Sequence, residues 1–152
     1  MKTEVMGLGM DTKLTYDADR FRKKYNINDP FILYAGRKDK GKNIDTLVQY
    51  FKRYKQNEQD NLKLVLIGGG ELEIPTEIKN DVYDLGFVDL QDKYDAYGAA
   101  ELLCQPSKNE SFSLCDHGKL AVQTSGTRTR RLCGYEKFCK LLQRRTVFRQ
   151  LL

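Results

Sequence analysis

Apolar residues along this chain fall into two kinds of stretch, short unbroken runs that end in glycine and longer segments with helical spacing. Residues 17–25 are charged and amphipathic, closed by Asn26 and Asn28 and stopped by Pro30, which predicts a short helix. The run Phe31, Ile32, Leu33, Tyr34, Ala35 then ends at Gly36, the pattern of a strand buried on both faces. A polar turn at 37–42 follows. Beyond it Asn43 is placed to cap a helix in which Ile44, Leu47, Val48 and Phe51 recur at i, i+3, i+4 and i+7. Residues 62–67 form a second buried-strand run, closed by Gly68, Gly69 and Gly70. A third, at 82–85, ends at Gly86. Tyr94, Ala96, Tyr97 and Ala100 suit a helix before a fourth strand at 101–104, stopped by Pro106.

Strand, glycine turn, helix, strand, glycine turn is the pattern of βαβ units around a parallel sheet, so an α/β, Rossmann-like fold is expected. In such sheets ligands bind beyond the carboxyl ends of the strands. The turns at Gly36, Gly69 and Gly86 each sit at such an end, which gathers the candidate chemistry on one rim. After Leu114 the pattern stops. Residues 123–131 contain no apolar side chain, and 138–147 give only an uncapped helical hint.

Charge divides at the same place. The net charge is +5, a balance that ordinarily points to an anionic partner. Yet residues 115–152 hold nine Lys or Arg against two acids, while residues 1–114 hold 17 basic and 19 acidic side chains. The basicity belongs to the tail. Three of the four cysteines, Cys115, Cys133 and Cys139, lie there with the single histidine, His117, in a spacing that matches no metal-ligand pattern; no metal site is expected. No run reaches the roughly 18 apolar residues of a membrane span, and the amino terminus has no basic-then-apolar signal, so a soluble cytoplasmic protein is expected.

Arg37 and Lys42 flank the turn G-R-K-D-K-G-K-N beside a helix amino terminus, an arrangement suited to a diphosphate because backbone donors, helix dipole and fixed charge act together. The same string also reads as a solvated basic turn. Gly68, Gly69 and Gly70 let backbone approach a ligand closely, although a tight turn accounts for them equally. Glu110, just past the fourth strand, is placed to accept hydrogen bonds from sugar hydroxyls; alone, such a residue is more often a surface acid.

Together the strings become specific. G-R-x5-N before an apolar helix, L-K-L-V-L-I-G-G-G, L-G-F-V, and P-S-x-x-E-S-F-S-L resemble the carboxyl-terminal domain of the family-4 retaining glycosyltransferases of the GT-B fold, over residues 10–114. The opening M-G-L-G-M-D-T resembles the linker between the two domains of that family. The resemblance implies an interdomain-linker remnant at 1–16, a partial donor-binding domain at 17–114 and a basic tail of non-native, poorly ordered character at 115–152. It implies a nucleotide-sugar as substrate and partner, with no separate cofactor and no metal. Arg37 and Lys42 would neutralise the diphosphate, and the backbone around Phe87 and Val88 would receive the nucleobase. Glu110 and the amides of Phe112, Ser113 and Leu114 would hold the sugar. It further implies that the amino-terminal acceptor domain is missing, leaving this chain inactive alone. No membrane span is expected, though the parent enzyme could associate peripherally with a membrane.

The departure from the family pattern is at the second acid of its E-x7-E motif, where Gly118 stands. Synonymous codons for residues 115–121 can be chosen so that reading one base later gives V-I-M-E-S-W-L, which restores that glutamate. Residues 125–131 and 143–149 likewise yield P-V-L-V-H-G-D and N-G-G-L-Y-F-D. A single-base insertion near the Leu114 codon is therefore expected. A tail encoded by a chance frame has no selected apolar pattern, so a partly formed core prone to aggregate is expected too. Two other functions fit the sequence. One is a non-catalytic nucleotide-sugar binder. The other is a tail gripping nucleic acid through arginines interleaved with Tyr135, Phe138 and Phe148. Arginine enrichment follows from shifted coding, so no nucleic-acid partner is expected.

Overall fold

The computed structural model describes residues 15–107, together with the backbone of 131–134. Helix α1 spans Ala18–Tyr25. Asp17 caps it by accepting from the amides of Asp19 and Arg20 at 2.9 and 3.1 Å, and Asn26 ends it in the left-handed region at φ 54°. Strand β1 (Phe31–Ala35) is buried throughout. A single 3-10 turn at Lys40–Lys42 leads into α2 (Ile44–Asn57). Strand β2 (Lys63–Ile67), a second 3-10 stretch (Thr76–Asp81) and β3 (Val82–Gly86) follow, then α3 (Leu90–Ala99) and β4 (Leu102–Gln105).

The strands form one parallel sheet in the order β3-β2-β1-β4-β5. Strand β5 (Arg131–Gly134) corrects the expectation that strands end with the fourth. It pairs in parallel with β4 from Leu102↔Arg131 to Gln105↔Gly134. Ladder bonds are made by backbone, so a four-residue strand needs too little side-chain pattern to be visible in sequence.

Period-two alternation along β1 divides the core in two. Ile32 and Tyr34, with Leu64 and Leu66 of β2, pack under Ile44, Leu47, Val48 and Phe51 of α2. Phe31, Leu33 and Ala35, with Val65 and Ile67, pack against Phe21 of α1 and Ala96, Tyr97 and Ala99 of α3. The sheet is therefore covered by α2 on one face and by α1 and α3 on the other, and chain progression reverses between β1 and β4.

Helices α1 and α3 are fastened by charge. The fully buried Asp95 accepts from Arg20 Nε and Nη2 at 2.5 and 2.7 Å, from the Asp17 amide at 2.7 Å and from Gln91 Nε2 at 3.1 Å. Asp92 accepts from Lys24 Nζ at 2.6 Å and the Tyr25 hydroxyl at 2.7 Å. Burial by itself would raise both carboxyls. The hydrogen bonds, Arg20's foremost on Asp95 and Lys24's on Asp92, outweigh it and hold both below the usual range.

Candidate functional site

Three glycine turns meet at the carboxyl rim of the sheet. The Gly36 amide donates to Ile67 O at 2.9 Å, the Lys38 amide to Gly69 O at 2.8 Å and the Gly68 amide to Gly86 O at 2.7 Å. Gly68 and Gly70 have φ of 126° and 108°, a region closed to most side chains. A Cβ at Gly68 would stand 2.1 Å from Gly36 O, and one at Gly70 would stand 2.6 Å from Lys38 O. The glycines are there because two turns pass at backbone contact.

Above these turns lies a cleft of about 350 Å³, walled by Gly36 and Arg37 after β1, Gly68 and Gly69 after β2, Phe87 and Val88 after β3, and Leu90 and Lys93 of α3. Phe87 is 87 % exposed and Leu90 65 % exposed, large apolar groups left in water at the mouth. The Phe87 ring stands over Gly69, where a Cβ would come within 2.5 Å of it. At the other end the Arg37 side chain is 79 % exposed and lies 3.5 Å from Asp39. Its backbone is fixed, with Arg37 O accepting from the Tyr34 hydroxyl. One end of the cleft thus offers a flat apolar surface and the other a guanidinium beside unhindered backbone.

Of the residues singled out from the sequence, Arg37, Gly36, Gly69, Phe87 and Val88 share this cleft, and Gly86 ends the strand below it. Lys42 closes the 3-10 turn farther along the same β1–α2 connection, its amide 3.0 Å from Asp39 Oδ1, and is not among the residues that wall the cleft. Glu110, Phe112, Ser113 and Leu114 lie outside the described residues, as do Cys115, His117, Cys139 and the aromatic residues of the tail.

Asn43 corrects one expectation. It occupies the residue before α2, but in the left-handed region at φ 57°, and its side chain caps no helix amide. Instead Asn43 Nδ2 donates to Pro106 O at 3.1 Å, and Oδ1 accepts from the Thr46 hydroxyl at 2.7 Å. The side chain is turned outward to hold the loop after β4, across the point where chain progression reverses. Gln105 Nε2, donating to Ala35 O at 2.9 Å, ties the same pair of strands. Sequence reasoning also passed over Lys38 and Lys93. Lys38 is buried against Asp84, and Lys93 extends from α3 into the cleft wall, its Nζ 5.9 Å from the centre of the Tyr97 ring.

Comparison with known proteins turns this geometry into a family assignment. The family described as "Glycosyl transferases group 1" matches residues 17–115, more than half of the chain. The chain belongs to that family. Sucrose-phosphate synthase from Thermosynechococcus elongatus superposes with a TM-score of 0.58 at 24 % identity, covering 83 % of this chain and 33 % of that one. HepE of Anabaena, solved in complex with UDP-glucose, gives a TM-score of 0.61 at 14 % identity, covering 84 % of this chain and 42 % of that one. The same protein with UDP and glucose gives 0.55 at 16 %, covering 70 % and 31 %. The chain therefore spans about a third to two-fifths of the length of these structures. At such identities they establish the fold, a Rossmann-like GT-B domain, as the sequence predicted. No curated protein matches the chain significantly. Among the described residues no helix is long and apolar enough to cross a membrane.

Proposed function

We propose that the rim cleft binds a nucleotide-sugar donor for glycosyl transfer. The observation that carries this reading is the two-ended cleft itself, with Arg37 at one end, Phe87, Val88 and Leu90 at the other, and side-chain-free turns between them. A nucleobase has a flat apolar face and a diphosphate is a compact anion. Base-on-ring contact and charge-assisted hydrogen bonds from a guanidinium and backbone amides answer those two chemistries. HepE, which shares the fold, is described with UDP-glucose bound, which favours a donor of the same chemical class here.

In the reaction Arg37 would offset the charge that develops on the diphosphate as the glycosidic bond to it breaks. Lys42 would add to that field from the far end of the same connection, and Glu110 with the amides of Phe112 to Leu114 would hold the sugar. Retaining stereochemistry, membership of family 4, a role in polysaccharide assembly and a cytoplasmic setting belong to this proposal. So does the expectation that 152 residues alone bind the donor without transferring its sugar, the acceptor being held by another domain. A single-base insertion near the Leu114 codon would account for the basic tail and for Gly118 at the second acid. Gene sequence that fails to encode V-I-M-E-S-W in the adjacent frame removes that part.

Isothermal titration of the full chain with UDP and UDP-glucose tests the donor site. Binding is expected, weakened roughly tenfold by Arg37→Ala, the scale of one charge-assisted contact in a partly open site. No heat from any nucleoside diphosphate at millimolar concentration refutes the reading.

A further inference from the structure

Lys38 is a cation in a polar turn, and such side chains ordinarily reach into water. Here its side chain keeps 2 % of its surface, and its ammonium donates to Asp84 in the middle of β3. Asp84 Oδ1 also accepts from the Gly86 amide at 3.1 Å. The Lys38 amide donates to Gly69 O at 2.8 Å, and its carbonyl lies against Gly70. One residue of the turn after β1 therefore touches the turn after β2 and strand β3 itself, two residues before Gly86.

Strands β1 and β3 are not neighbours, because β2 runs between them. The ladders relate them only through β2, and the β2–β3 ladder shifts register between Leu66 and Ile67, directly below the rim. Arg37 and Phe87 stand on these two non-adjacent turns. The Lys38–Asp84 pair crosses over β2 and ties the first turn to β3, where the Asp84 carboxylate holds the Gly86 amide one residue before Phe87. Only the Lys38 end is buried, while the Asp84 side chain keeps 28 % of its surface, and an ion pair open to water at one end contributes little to fold stability.

We propose that Lys38, through Asp84, is a positioning residue that sets the separation between the diphosphate end and the base end of the cleft. The proposal rests on the donor-site reading above. A ligand held at both ends gains affinity from the linkage between them only when the two subsites match its span. Loss of the pair should then harm two-ended ligands and spare each half.

The test titrates the full chain and its Lys38→Met and Lys38→Met/Asp84→Leu variants with UDP, uridine and pyrophosphate, alongside thermal melts. The double variant fills the space without charge and is expected to melt like the parent. UDP affinity is expected to fall about tenfold in both variants while uridine and pyrophosphate affinities stay level. UDP binding that returns with stability in the double variant overturns the proposal. An equal loss for all three ligands does the same, because the pair would then only support the fold. If the parent itself ignores UDP but binds uridine or pyrophosphate, the donor site and this inference fall together. If the parent binds UDP and only the variants' behaviour disagrees, this inference falls alone.

Discussion

Replacing Gly68 with alanine puts a number on the rim's construction. At φ 126° a side chain costs about 1–3 kcal/mol in backbone strain. The added Cβ would stand 2.1 Å from Gly36 O and 2.8 Å from Gly36 C, both backbone, so the turns must separate. Separation weakens the Gly36–Ile67 and Gly68–Gly86 bonds, at 2.9 and 2.7 Å, each contributing about 0.5–1.5 kcal/mol. Taking the middle of the strain range and half of each bond gives about 3 kcal/mol, a large part of the roughly 5–15 kcal/mol a domain has. For a domain of this size that is a fall in Tm of about 12–24 °C. Gly69→Ala is the control. Its Cβ meets only the Phe87 ring, which is 87 % exposed and can swing aside, so stability should stay within about 0.5 kcal/mol of the parent. Far-UV circular dichroism melts of the two variants decide the matter. A Gly68→Ala protein that melts within about 3 °C of Gly69→Ala would refute the account of the rim as backbone in contact.

Phe87→Ala should leave the melt unchanged, since the ring is exposed, yet weaken UDP binding about tenfold by removing the base's stacking surface; unchanged affinity would take the base off this wall. The low carboxyls of Asp92 and Asp95 contribute stability that is present above the unfolded aspartate value of about 3.9 and is lost as pH falls through their lower folded values. Urea melts from neutral to acid pH should show that loss, and Asp92→Asn/Asp95→Asn should flatten the slope at the cost of a lower neutral plateau; an unaltered slope counts against the α1–α3 fastening. Tyr25 is pushed up to about 12 by burial, by its hydrogen bond to Asp92 and by that carboxylate's charge. Its contribution is therefore intact below the unfolded tyrosine value of about 10 and disappears as pH rises from there through about 12, a decline that Tyr25→Phe should remove.

Strands β1 and β2 were legible because each is a buried apolar run that closes at glycine, a pattern that depends on neither partner nor register, and β3 and β4 because their short apolar runs stop at Gly86 and Pro106. The helices followed from spacing and caps, Asn26 included. What escaped depends on residues distant in sequence. Asn43 has the chemistry of a helix cap, and only the nearness of Pro106, 63 residues on, shows why its side chain turns away. Lys38 reads as one more solvated cation until Asp84, 46 residues later, is placed beside it. The acid interrupting V-Y-D-L-G was the one local signal. Arg37 and Lys42 look equivalent in the string, yet only Arg37 walls the cleft, Lys42 standing at the far end of the 3-10 turn in the same connection. The stretch Thr76–Asp81 mixes polar and apolar residues without period and was invisible.

Sheet order also dictates when each half of the interior can close during synthesis. The α2 side is built from β1, α2, β2 and β3, consecutive in the chain, with Cys104 of β4 added last. The opposite side needs α1 and α3 together, and their pairing joins residues 75 apart. A ribosome must therefore deliver everything through Ala100 before Phe21, Phe31 and Leu33 find their cover. Until then the nascent chain carries a naked apolar sheet on one side only, the surface a holding chaperone would grasp.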